Sequence, residues 1–216
     1  MASTSWLSRA REPFSGYSHL AGLGLALVGT ASLSTVAHGV RLAAALVYAA
    51  SLVALYAASS AYHLIDLGQA VTARLRRFDH AAIFLLIAGT STPLFVAALS
   101  GSSRVMMLAA VWGAALIGIL FRTFWLSAPR ALYTASYLAT GWIVVLRWRE
   151  VVAGLSTAAF GFLLAGGIVY SLGALVYAFR FPNPRPGKFG FHEVWHLFVM
   201  AGSALHFVAI ALVAKG

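Results

Sequence analysis

The stretch FHEVWHLF, residues 191–198, sets His192 and His196 one helical turn apart with Glu193 beside the first. Histidines at i and i+4 project from one helix face and can share a metal ion. The same spelling, H-E-x-x-H, is the zinc-protease signature, in which the glutamate is the general base. A third histidine, His63, ends another apolar stretch, and Ser59 lies four residues earlier on the same face, about 6 Å away in helical rise. Asp79 opens the apolar stretch that follows. Three imidazoles with an open fourth position form a catalytic zinc pattern, and neutral imidazoles leave the ion's charge uncompensated. Asp79 is the carboxylate that would partly offset that charge and hydrogen-bond a zinc-held water. The chain has no cysteine, so zinc would have to be held by His, Asp or Glu.

Each of these residues also has a plain structural role when taken singly. Histidines at a span end can face lipid headgroups, as His63, His192 and His196 would do here. Asp79 can pair with Arg76 or Arg77, or sit as a negative group at a helix N-terminus. Ser59 is a common helix-packing residue. A metal is indicated by their coincidence at one depth. Three other histidines carry less. His19 opens the first span and reads as interfacial, and His38 falls in a loop. His206 lies 14 residues beyond His192, about 21 Å deeper, and reads as a buried packing residue.

The elements that must position this layer are membrane helices. Of 216 residues, 61% are hydrophobic and only 9% are charged, which excludes an ordinary soluble domain. Apolar runs of the length a bilayer demands fall at 17–37, 42–64, 79–99, 105–121, 131–147, 156–179 and 192–213. The expected fold is an all-α, seven-transmembrane helix bundle over 17–216, preceded by a polar tail, 1–16. That tail lacks the apolar core of a cleaved signal peptide, so the first span is expected to act as an uncleaved anchor. Pro93 lies inside the third span and is expected to kink it.

Loop charge sets the orientation. The tail and the loops at 65–78, 122–130 and 180–191 hold ten Arg and Lys residues. The opposite side holds five: Arg41, Arg104, Arg147, Arg149 and Lys215. The N-terminus is therefore expected in the cytoplasm and the C-terminus outside. The net charge of +10 reports this topology and not a nucleic-acid partner, because the arginines sit in short loops between apolar runs. The same topology brings Ser59, His63, Asp79, His192 and His196 to one layer at the cytoplasmic edge.

Three blocks carry a family resemblance: SSAYHL at 59–64, RRFDHAAIFLLIAGTSTP at 76–93 and FHEVWHLFVMAGSALHF at 191–207. In order and spacing they resemble the haemolysin III-type bacterial members of the progestin and adiponectin receptor family. The resemblance implies zinc held by His63, His192 and His196, with Ser59 at the family's serine position and Asp79 contacting zinc through water. It also implies a cytoplasmic N-terminus. The extended N-terminal domain of the animal receptors is absent from this sequence, so adiponectin binding is not expected. The family belongs to a wider group of membrane hydrolases that resemble alkaline ceramidases.

The expected function is that of a multi-pass bacterial inner-membrane zinc protein that hydrolyses lipid amides or esters. Asp79 would be the base and Ser59 a hydrogen-bond donor to the developing oxyanion. The substrate would be an acylated lipid reached from the bilayer, with a role in membrane homeostasis. Two other readings stand beside it: a receptor, sensor or haemolysin-like protein with structural zinc, and an intramembrane metalloprotease using Glu193.

Overall fold

The computed structural model describes residues 10–215. Those residues form eight α-helices and one short 3-10 helix. The helices are α1 (Pro13–Val36), α2 (Gly39–Leu64), α3 (Gln69–Ala98), α4 (Gly101–Phe124), α5 (Arg130–Gly141), α6 (Trp148–Gly154), α7 (Thr157–Phe179) and α8 (Phe191–Lys215). The 3-10 helix, Trp142–Arg147, joins α5 to α6. Six of them, α1 to α4, α7 and α8, are long and apolar enough to cross a membrane. Even the shortest of them, α7 with 23 residues, spans about 35 Å, more than the roughly 30 Å of a bilayer's hydrocarbon core.

The helix ends follow local chemistry. Proline at the first position of α1 has no N–H to leave unsatisfied. Ser156 caps α7 by accepting from the Ala159 N–H. At its other end α7 stops at Arg180, which takes the left-handed conformation with φ 59°.

α3 lies centrally and packs on α2, α4, α5, α6 and α8. Around it α2 meets α1, α1 meets α8, α8 meets α7, and α7 meets α5. One apolar core, with Phe84, Phe95, Met107, Val111 and Tyr137, fills the α3–α6 side. A second, with Leu33, Tyr48, Leu55, Leu86 and Ile210, ties α1, α2, α3 and α8 together. Large apolar side chains such as Leu25, Val28, Ile117 and Phe124 face outward, while Ser51, Ser59, His63 and Arg122 are buried. That distribution suits a lipid-facing exterior. Gly16 sets the approach of α1 to the end of α2. A side chain there would collide with the Leu64 side chain and touch His63.

Two elements depart from the sequence reading. α3 starts at Gln69 and not near residue 79, so Arg74, Arg76 and Arg77 ride on the helix and not in a loop. Asp79 thus sits almost three turns inside α3, and helix-end capping is not open to it. The segment expected as one helix over 131–147 is instead α5 followed by the tighter 3-10 stretch. The change comes after Gly141, and the Trp142 indole is held by Ser171 Oγ of α7 at 3.0 Å. A tertiary contact overrides the helical period there. Pro93 lies buried within α3, which runs on past it to Ala98. Just before it, Ser91 and Thr92 return their hydroxyls to the carbonyls of Ile87 and Ala88.

Candidate metal centre

Two elements meet at one end of the bundle. His63 occupies the last turn of α2, and His192 and His196 occupy the first two turns of α8. Each offers one ring nitrogen to a cluster in which the donor atoms all lie within 4.8 Å of one another. The ring centroids of His63 are 5.1 Å from His192 and 4.7 Å from His196. The Nε2 atoms of His192 and His196 stand 2.9 Å apart. Residues separated by 129 positions are thus brought to one point by the packing of α8 beside α2 and α3.

The donor set fits zinc. His196 Nδ1 is 2.9 Å from His19 Nε2, which engages one ring nitrogen and leaves Nε2 as the donor. His63 Nδ1 is buried, with Glu12 Oε2 2.8 Å away but no aligned hydrogen bond. A buried imidazole nitrogen without an aligned partner, within a cluster of imidazoles, suits a ligand atom. A second ring nitrogen fixed by a neighbour is the usual support of a metal-binding histidine.

Ser59 and Asp79 face the same region and line a cavity of about 310 Å³ together with His192 and His196. Asp79 lies near both His63 and Ser59. Beyond this polar end the cavity wall is largely apolar, with Leu86, Phe95 and Val144, and reaches Trp142, Tyr170 and His206 deeper in the bundle. Arg76 and Arg130 line it near the histidines, and Arg130 lies over the rings of Tyr177 and Phe191. His206 is not part of the cluster, and its Nε2 bonds the Leu163 carbonyl at 3.1 Å.

Glu193 turns to a different task. Its Oε2 accepts the Gly190 backbone N–H at 2.7 Å, which caps the start of α8. The H-E-x-x-H spelling is therefore two candidate ligands flanking a helix cap, and its glutamate is engaged away from the histidines.

Sequence reasoning missed two residues, both contributed by α1 and the residue before it. His19 is buried against Tyr56 and His196 instead of standing at an interface. Glu12, just ahead of α1, brings Oε2 to 2.8 Å from His63 Nδ1 and 3.7 Å from His192 Nε2. The His63 ring beside it pulls the Glu12 carboxyl down to about 2, with His192 and Arg11 helping against the cost of burial. Glu12 is accordingly an anion at neutral pH. One signal was available, since the chain has only five acidic residues.

A family profile described as haemolysin-III related matches residues 7–207. The chain is 36% identical over 165 residues to the Hemolysin-3 homolog of Bacillus subtilis (strain 168), a match covering 76% of this chain and 74% of that one. With the Hemolysin-3 of Bacillus cereus it shares 36% identity over 165 residues, 76% of this chain and 72% of the relative. A shorter match, 39% over 62 residues, joins 26% of this chain to 14% of the Adiponectin receptor protein of Drosophila melanogaster.

Proposed function

The chain belongs to the haemolysin-III related family, and from that premise we propose that it is a metal-dependent hydrolase of acylated membrane lipids. One observation carries the reading: the three-histidine cluster opens, through His192 and His196, onto a cavity whose polar end holds Asp79 and Ser59 and whose remaining wall is mostly apolar. A bound Zn2+ would polarise a substrate carbonyl and acidify water at neutral pH. Asp79 accepts the proton from water and returns it to the leaving amine or alcohol. The Ser59 hydroxyl orients the Asp79 carboxylate or donates to the oxygen that gains charge. The apolar wall receives an acyl chain, and its burial positions the carbonyl beside the polar end.

This reading is tested on purified, zinc-loaded protein in liposomes containing ceramide-like amides and glycerol esters. The expected result is release of free fatty acid from at least one lipid class, detected by mass spectrometry and lost on removal of zinc. No product from any of these lipids would count against an enzyme.

The proposal includes a topology. The chain crosses the bacterial inner membrane seven times, with α5, the 3-10 helix and α6 forming one interrupted crossing. The N-terminus and the metal centre lie on the cytoplasmic side. Loop charge supports this, with ten basic residues against five. A reporter fused after Gly216 is expected to read as external, and one inserted between α7 and α8 as cytoplasmic. The reverse pattern would move the metal centre to the outer face.

A further inference from the structure

The metal centre described above has three nitrogen donors, and a fourth group approaches it that none of them requires. Glu12 Oε2 is buried, although the residue as a whole is part-exposed, and it has no hydrogen-bond partner among the described residues. His63 Nδ1, 2.8 Å away, is orphaned in the same way. Two such atoms normally satisfy each other by aligning a proton between them. Here they are close but not aligned, and Glu12 Oε2 also lies near the Nε2 of His192. The known separations are 2.8 Å from Glu12 to His63, 3.7 Å from Glu12 to His192 and 2.9 Å from His192 to His196. Donors around a tetrahedral zinc at its usual bond lengths stand roughly 3.4 Å apart. Glu12 thus stands within reach of two of the three histidines, His63 and His192.

We propose that Glu12 is a direct metal ligand, so that the amino-terminal segment adds a fourth donor to His63, His192 and His196, and water or a substrate carbonyl would enter by expansion of the centre to five ligands. This rests on the metal-centre reading.

Charge favours it. Three neutral imidazoles leave a divalent ion's charge uncompensated in a low-dielectric setting, and a direct carboxylate removes half of it. Asp79 can then balance the remainder from the cavity wall.

The segment is also held for the task. The Glu12 N–H donates to the His63 carbonyl at 3.1 Å, and Arg11 Nη1 donates to the Tyr62 carbonyl at 3.2 Å. Phe14 packs edge-on against Phe189, with ring centroids 4.9 Å apart, in the loop between α7 and α8. The anchors of Glu12 are therefore the end of α2, which carries His63, and the loop leading to His192. Seven residues on, two turns along, His19 meets His196. The start of α1 and the residue ahead of it thus supply both a ligand and the support of another ligand.

The test uses full-length protein in detergent, stripped of metal and titrated with zinc alone against a competing chelator. Glu12→Gln keeps the volume and removes the charge. Its zinc affinity is expected to fall by more than about 100-fold, beyond the 10–100-fold typical of a group that only supports a ligand. The coordination itself is read by infrared difference spectroscopy on protein labelled at its glutamate carboxylates. The chain has only three glutamates, at 12, 150 and 193. Zinc is expected to shift the labelled stretches in wild type, and Glu12→Gln is expected to lose that shift. Persistence of the shift in Glu12→Gln, or an affinity within tenfold of wild type, would overturn the proposal. Where Glu12→Gln does not fold, Glu12→Asp decides. Its carboxylate is one methylene short, so weakened zinc binding supports direct ligation and unchanged binding overturns it. Wild type that binds no zinc would instead sink the metal centre as a whole.

Discussion

Alanine at His63, His192 or His196 is expected to take the protein from about one zinc per chain to nearly none, measured by elemental analysis after purification. Each variant removes a nitrogen donor from a site whose donors have been gathered from α2 and α8. The loss has no local substitute. His19 is committed to His196, and Ser59 is a poor zinc ligand. Glu193→Gln is the internal control. It lies between the two α8 histidines in sequence but bonds the Gly190 N–H, and glutamine retains an oxygen that can accept there. Its zinc content is expected to match wild type. A chelator should lower the melting temperature of wild type and of Glu193→Gln, because metal bound only to the folded state stabilises it by mass action. The three alanine variants should not respond to chelator. Full zinc content in all three would reduce the histidine cluster to a packing feature.

The histidine cluster was legible in the sequence for a specific reason. In an apolar chain few residues can do chemistry, and loop charge sorts them by depth without any structure. His63, His192 and His196 sit beside span boundaries, where depth follows directly from topology. Glu12 and His19 were not legible by that route. Depth does not tell which face of α1 turns inward, and α1 is apolar around most of its circumference, so period gave little contrast. The inward face is set by close approach, with Gly16 against Leu64 and His63. That contact lies in the packing of two helices and not in either sequence alone.

The break after Gly141 was hidden for a related reason. Residues 131–147 are apolar enough to read as a span, and what interrupts the helix is the Trp142 contact with Ser171, a partner 29 residues away. The start of α3 was misplaced because hydropathy marks where apolar residues begin and not where the helix begins. Its first ten residues, Gln69–Phe78, carry three arginines among only short apolar stretches, yet they are helical. Pro93 sits in α3 without ending it, beside hydroxyl side chains that bond the preceding carbonyls.

Asp79→Asn separates an enzyme from a protein in which the metal is structural. The substitution keeps the shape of the side chain and its place beside Ser59, and removes only the basic carboxylate. Because Asp79 is one layer outside the proposed ligands, zinc should be retained with an affinity about 10–100-fold weaker. Hydrolysis of whichever lipid wild type cleaves is expected to fall by roughly 10²-fold or more, the usual size of a general-base contribution. Both quantities are measured on the same preparation, with zinc supplied in excess so that occupancy does not limit the rate. Equal hydrolysis by mutant and wild type would keep the enzyme and remove Asp79 as its base. Glu193 would be a weak successor, since it is spent on the cap of α8. A different outcome sinks the enzyme itself: fully loaded wild type that cleaves no lipid, together with an Asp79→Asn strain that loses the wild-type cellular phenotype. Asp79 would then act by joining the metal centre to α3, the helix that packs on five others, and the cavity would be the binding site of a membrane sensor.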